Sequence, residues 1–142
     1  MTAARGCCFV GRRERRVEWF PWGRHDWLCR PGIARTDKII CVRVDMPGGE
    51  AHQFHRHPRR EEILYVLEGR LEQWVGRKKR VLGPGDLVFI PENVVHGCYN
   101  IFRKRVRFLA VLSPAKAPGP MLVDVFRDKP WCALKTPRDY PR

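Results

Sequence analysis

Short apolar or alternating runs, each closed by turn residues, follow one another through the middle of the chain. Residues 39–44 are rich in β-branched side chains, and residues 63–67 form a continuous apolar run that ends at Glu68-Gly69. Residues 70–75 alternate between polar and apolar positions, which is typical of a half-buried strand. Further short runs lie at residues 80–82, 87–90 and 105–112. Strands so short and so evenly spaced predict a single all-β domain, built as a sandwich or barrel.

The segments around these runs have a different character. The pattern divides the chain into a flexible basic N-terminal segment at 1–17, a Trp-rich extension at 18–37, the barrel core at 38–113, and a C-terminal strand and tail at 114–142. The Trp-rich extension holds Trp19, Trp22 and Trp27 among Pro and Gly, and we expect it to pack on the barrel or to form a dimer interface. In the Pro-rich tail, residues 121–126 read as one more strand.

The chain of 142 residues carries a formal net charge of +13 at pH 7. A nucleic-acid partner would suit that charge, but the charge is spread along the whole chain, and no recognised nucleic-acid-binding motif is present. We therefore expect a solvated basic surface, a small molecule as the partner, and no nucleic acid. No apolar run approaches the length needed to cross a bilayer, so we expect no membrane association.

The cysteines give an expectation about the compartment. There are six, without any C-x-x-C spacing: Cys7, Cys8, Cys29, Cys41, Cys98 and Cys132. The first ten residues are too short, and too soon followed by arginines, to form the apolar part of a secretory signal. A reducing cytoplasm is the expected location.

Three imidazoles and one carboxylate form the most informative set of side chains. Residues two apart on a strand point to the same face, so His55 and His57 can hold one ion from one side. Glu62 returns after a turn, and His96 comes from a distant strand, which a closed barrel brings alongside. These donors are a typical ligand set for Fe, Mn, Ni, Cu or Zn. We expect one divalent transition metal at His55, His57, Glu62 and His96.

The spacing around these ligands resembles the two signature motifs of the cupin superfamily. The motifs read Gly49-x5-His55-x-His57-x4-Glu62-x6-Gly69 and Gly85-x5-Pro91-x-Asn93-x2-His96-x3-Asn100. Asn93 stands where the second motif usually has Gly, and Asn tolerates the same positive φ. The resemblance covers about residues 38–113 and implies a jelly-roll β-barrel, or double-stranded β-helix, with a three-His, one-Glu metal site.

Other polar residues are weaker candidates within such a barrel. Gln73, Cys98 and Arg107 fall on strands that would line the cavity, and we take them as candidate substrate contacts. A buried structural thiol is the alternative for Cys98, and Arg107 would pair with a substrate carboxylate if it faced inward. His52 has the opposite strand parity to His55 and is expected to lie outside the site. No separate catalytic base is identifiable, and His25, outside the motifs, is expected to be structural.

The resemblance leaves two classes of function open. The first is a metal-dependent enzyme, of dioxygenase type or an isomerase or lyase, that acts on a small oxygen-rich substrate. The second is a non-catalytic module that binds or senses a small molecule. We expect the enzyme, because the ligand set is complete. Small cupins are commonly homodimers, and the Trp-rich extension would supply the interface. Burial of its tryptophans inside one subunit would weaken that expectation.

Overall fold

The computed structural model describes residues 8–135, which form two antiparallel sheets and a short helix. In chain order the elements are β1 (Arg16–Phe20), β2 (Gly23–Cys29), β3 (Ile40–Met46), β4 (Ala51–Arg56), β5 (Glu61–Glu68), β6 (Leu71–Val75), β7 (Lys78–Leu82), β8 (Leu87–Ile90), β9 (His96–Tyr99), β10 (Val106–Ser113), β11 (Val123–Asp124) and α1 (Trp131–Leu134). No helix within residues 8–135 has the length and apolar character needed to cross a membrane.

The order of the strands differs from their order along the chain. One sheet has the order β1-β2-β3-β10-β5-β8, and the other has the order β11-β4-β9-β6-β7. The chain therefore crosses repeatedly from one sheet to the other, as it does in a jelly roll. The prediction of a single all-β domain built as a double-stranded β-helix is confirmed.

The core lies between the sheets, and in two central strands of the larger sheet, β3 and β10, buried positions alternate strictly with more exposed ones. In β3, every second residue from Ile40 to Met46 is buried, and β10 repeats this pattern. The register places Val44 opposite Phe108 and Val42 opposite Ala110, so that their side chains cover the same inner face. The space between these residues and strands β4 and β9 is not filled by side chains. The cavity described below lies there.

A second apolar cluster covers the other face of the five-stranded sheet. Phe54, Trp74 and Tyr99 are buried there, and Trp131 of α1 packs against them with its ring centroid 5.1 Å from that of Phe54. Strand β4 therefore has Phe54 buried on one face and His55 buried on the other. Burial on both faces fixes the register of this strand.

The Trp-rich extension adds two strands to the larger sheet. Strand β2 pairs with β3, and β1 forms the exposed edge. Trp22 and Trp27 pack against the core, whereas Trp19 is 73% exposed. Residues 1–7 of the segment predicted to be flexible lie outside the described residues, but β1 already begins at Arg16 within that segment.

The C-terminal segment follows the expected course only in part. The predicted strand at 121–126 is reduced to Val123–Asp124, which pairs with Arg56 and His55 of β4. The chain then turns into α1, which the Pro-rich sequence did not predict. Residues 136–142 of the predicted tail lie outside the described residues.

Candidate metal centre

The four predicted ligands lie together at one wall of the barrel. His55 belongs to β4 and is the cross-strand partner of His96 at the start of β9. His57 follows the end of β4, and Glu62 lies near the start of β5. All four are buried, and one donor atom from each lies within 4.8 Å of the others. The structure thus brings this set together from three strands.

Backbone carbonyls fix the direction of each imidazole. The Nδ1 atom of His55 lies 2.6 Å from the Gln53 carbonyl oxygen. The Nδ1 atoms of His57 and His96 lie 2.8 Å and 2.9 Å from the carbonyl oxygens of Met121 and Val94. A carbonyl oxygen only accepts, so each Nδ1 donates its hydrogen. Each Nε2 is therefore the nitrogen left to bind a metal.

The carboxylate of Glu62 lies close to two of these nitrogens. Oε2 of Glu62 lies 3.1 Å from Nε2 of His57 and 3.0 Å from Nε2 of His96. Among the described residues, neither this oxygen nor the His96 nitrogen has a partner with hydrogen-bond geometry. Unpaired lone pairs held together in a buried site are costly unless a cation lies between them. This arrangement fits a divalent metal bound by the four residues.

The protonation states of His55 and Glu62 also suit metal binding. Burial lowers the pKa of His55 well below its usual value, and the neighbouring imidazoles add to this effect. Burial opposes ionisation of Glu62, but His57 and His96 outweigh it and hold the pKa of this carboxyl far below its usual range. A neutral imidazole and an ionised carboxylate are the forms that bind metals.

A turn that needs a left-handed residue leads into His96. Asn93 has φ of 62°, the region that Gly favours at this place in the motif. Its Oδ1 accepts a hydrogen bond of 2.7 Å from Nη1 of Arg56, and its backbone N–H donates to the His57 carbonyl. Asn93 therefore keeps the turn that the motif usually forms with Gly. Its hydrogen bond to Arg56 also joins the turn to the strand that carries His55.

A cavity of about 520 Å³ opens beside the four ligands. Its walls are mostly aliphatic and aromatic, and no Lys or Arg is among the described residues that line it. The barrel contributes Val42, Leu64, Phe108 and Ala110, the N-terminal hairpin contributes Phe20, Trp22, His25 and Trp27, and the C-terminal segment contributes Met121, Leu122 and Phe126. Three separate parts of the chain therefore enclose one space.

Two of the three candidate substrate contacts line this cavity. Gln73 donates from Nε2 to the Trp74 carbonyl, while its buried Oε1 has no partner among the described residues. Burial raises the pKa of Cys98 to about 12, so its side chain is a neutral thiol. Gln73 therefore has a free acceptor beside the metal centre, and Cys98 contributes a weakly polar wall.

Arg107 lies on the opposite face of its strand. Its Nε donates to Oδ1 of Asp45 at 2.6 Å, and its Nη1 lies 3.5 Å from Oε2 of Glu68. Strand β10 turns Phe108 and Ala110 toward the cavity, so the residue before Phe108 must point outward. Arg107 does not reach the cavity, and pairing with a substrate carboxylate is not available to it.

Two histidines that the sequence placed outside the site line the cavity. Strand parity fails for His52 because β4 has an irregularity between His52 and His55: His52 pairs with Cys98, and His55 pairs with His96. One extra residue on β4 reverses the side to which its side chains point. His25 reaches the cavity from the N-terminal hairpin and contacts Trp22 edge to face, at 4.4 Å between ring centroids. Nothing in its local sequence indicates this long-range contact.

The fold defines a class of small β-barrel proteins, here with a candidate three-His, one-Glu metal site, and comparison with known proteins agrees on the class. A model of the cupin domain family matches residues 42–112, half of the chain. The chain belongs to the cupin family.

Several known proteins resemble part or most of this chain. Quercetin 2,3-dioxygenase of Bacillus subtilis is 31% identical over 77 residues, or 54% of this chain. Dimethylsulfoniopropionate lyase DddQ of Ruegeria pomeroyi is 42% identical over 66 residues, or 46% of this chain. The chain covers only 23% and 32% of the lengths of these two relatives. The solved structure of the polyketide cyclase RemF of Streptomyces resistomycificus has a TM-score of 0.70 at 22% identity, covering 90% of this chain and 98% of RemF. RemF thus supports the fold alone.

Proposed function

We propose that this cupin is a metal-dependent enzyme of dioxygenase type, whose substrate is a planar aromatic molecule with oxygen atoms that chelate the metal. The observation that carries the proposal is the cavity wall. Aromatic and aliphatic side chains surround the space beside the four ligands, and no Lys or Arg is among the described lining residues. Such a wall favours an aromatic ring and disfavours a small free anion.

The ligand set leaves room for substrate. A divalent transition metal that prefers five or six ligands keeps one or more open positions when His55, His57, Glu62 and His96 bind it, and it supplies Lewis-acid and oxygen-binding chemistry there. The chain's own residues then determine which molecule enters. Phe108 and Trp27 give the cavity apolar walls, and the free Oε1 of Gln73 can accept a hydrogen bond from a substrate hydroxyl.

The likeness to a quercetin dioxygenase supports this substrate class, since quercetin is a flat polyphenol. The likeness to DddQ supports the alternative, a lyase that acts on a small carboxylate. The cavity disfavours the lyase because Arg107, the predicted carboxylate partner, is bound to Asp45 on the outside. A non-catalytic binding module remains the second alternative, since the same walls would hold an aromatic ligand without turnover.

The test separates these three functions. Metal-free protein would be loaded separately with Fe²⁺, Mn²⁺, Ni²⁺, Cu²⁺ or Zn²⁺ and mixed with flavonols, simple phenols or dimethylsulfoniopropionate. We expect oxygen uptake with a polyphenol, weaker binding (higher KM) for Gln73→Ala, and unchanged uptake for Arg107→Ala. Elimination from dimethylsulfoniopropionate without oxygen uptake would make the protein a lyase. A rise in Tm with a phenol but no turnover would make it a binding module.

We also propose that the protein is a homodimer that associates through β1. This strand is exposed along its whole length at the edge of the sheet, with Val17 45% and Trp19 73% exposed. Edge strands with apolar side chains favour pairing with a second copy. Trp22 and Trp27 pack within their own subunit, so only Trp19 remains for the interface. Light scattering should give a dimer for the wild type and a monomer for Trp19→Glu, whereas a wild-type monomer at micromolar concentration would contradict the proposal.

A further inference from the structure

We infer that Trp22 and His52 are positioning residues for the ligand His55, so that the N-terminal hairpin, β1 with β2, helps to orient the metal centre. The inference rests on the metal-binding part of the proposed function. Trp22 lies outside residues 42–112, the part of the chain that matches the cupin domain. Ring contacts within the cavity connect it to the ligand.

Three rings form a continuous stack that ends at the metal site. Trp22 and His52 are nearly parallel, with an interplanar angle of 13° and 4.2 Å between ring centroids. His52 and His55 are also nearly parallel, at 17° and 3.8 Å. The two distances are those of aromatic rings in direct contact. The indole of the hairpin therefore reaches the metal ligand through one intervening imidazole.

The remaining contacts of His55 leave its orientation dependent on this stack. Its Nδ1 donates to the Gln53 carbonyl at 2.6 Å, which restrains the ring at one point. The rings of His96 and His57 meet it edge to face, at 4.2 Å and 5.0 Å between ring centroids. A hydrogen bond to one atom still allows the plane of the ring to tilt, and His52 packs against one face of that plane. Removal of His52 would allow Nε2 of His55 to swing away from the common point of the four donors.

The backbone irregularity explains how His52 reaches this position. A regular strand would turn residues 52 and 55 to opposite faces, but the register shift between them brings both to the cavity. The hairpin then places Trp22 over His52, with His25 meeting the edge of the indole at 4.4 Å. The stack thus joins β4, which carries a ligand, to a hairpin that contributes no ligand.

The test measures metal binding and ligand geometry, independently of turnover. Co²⁺ affinity would be determined by competition with a chelator, and the visible absorption bands of bound Co²⁺ would report the ligand field. We expect about tenfold weaker binding and shifted bands for His52→Ala, with both properties restored in His52→Phe, which keeps a ring in the stack. Trp22→Ala should show the same change to a smaller extent, and Trp22→Phe should approach the wild type.

Phe89→Ala is the matched control, because it removes an aromatic ring that is 51% exposed and does not line the cavity. It should leave affinity and spectrum unchanged. Wild-type affinity and an unshifted spectrum in His52→Ala would overturn the inference. If the wild type itself binds no metal, the proposed metal centre fails. The stack is then tested in the metal-free protein by NMR, where unchanged His55 imidazole signals in His52→Ala would overturn it.

Discussion

Replacing Glu62 by Gln should separate the stability of the barrel from its capacity to bind metal. The carboxylate is 8% exposed and has Oε2 within 3.1 Å of two imidazole nitrogens that are themselves acceptors when neutral. A Gln amide at this position carries two hydrogens, one for each nitrogen. Because it also removes a buried charge, we expect the substitution to stabilise the metal-free protein while it abolishes metal binding.

The expected increase in the free energy of unfolding follows from the number of new hydrogen bonds. One or two new buried hydrogen bonds at about 1 kcal/mol each give about 1–2 kcal/mol. For a domain of this length, this corresponds to a rise in Tm of roughly 3–8 °C. Metal at a thousandfold excess over its Kd should stabilise the wild type by about 4 kcal/mol. The variant should lack this metal-dependent increase.

The stability difference between metal-free Glu62→Gln and the wild type should increase as the pH rises. Burial alone would lower the pKa of His57, but the adjacent Glu62 carboxylate outweighs it and raises this pKa above its ordinary value. The pair of protonated His57 and Glu62 therefore stabilises the metal-free wild type fully below about pH 6.5, the unfolded value. This contribution is lost as the pH rises through the folded pKa. The stability of Glu62→Gln should thus exceed that of the wild type most near pH 8 and least near pH 6.

Thermal unfolding followed by circular dichroism, with a chelator and then with Co²⁺ or Zn²⁺, measures both effects. Glu61→Gln is the control, since Glu61 is the exposed neighbour of Glu62 and should leave both curves as in the wild type. A Tm of Glu62→Gln below that of the wild type at pH 8 in chelator would refute the expected stabilisation. An equal rise in Tm with metal in this variant and in the wild type would refute the expected loss of metal binding.

Three further predictions concern the ligands and the cysteines. His57→Ala should lose stoichiometric metal, measured by elemental analysis, and keep the circular dichroism of a folded barrel; full metal content would make the ligand assignment wrong. Cys98, whose pKa burial raises to about 12, should resist alkylation under native conditions while exposed Cys8 reacts, as peptide mass spectrometry would detect. Cys29 and Cys41 are direct cross-strand partners, so a glutathione redox buffer should join them in a disulfide; two free thiols after equilibration with excess oxidised glutathione would contradict this.

Three of the four ligands could be read from local geometry, whereas His96 lies on a distant strand and was indicated by the second motif. Two residues of separation place His55 and His57 on one side, and a strand turn returns Glu62 to the same wall. His52 shows the limit of this reasoning, since strand parity holds only for a regular strand and the irregularity in β4 leaves no sequence signal. Arg107 shows a second limit, because residues 108–112 are all apolar and give no alternation from which its outward position could be read.

The cavity walls could not be predicted because they combine segments that are distant in sequence. His25 and Trp22 reach the cavity only because β2 pairs with β3, a pairing that no local pattern specifies. Phe126 reaches it from the other end of the chain. The cupin match spans residues 42–112, so it contains all four ligands and none of these three wall residues. The matched region therefore carries the four candidate ligands of this chain, and we expect the segments outside it to influence which small molecule binds. An exchange of the N-terminal hairpin that keeps Trp22 should accordingly change which phenols bind and leave the metal bound.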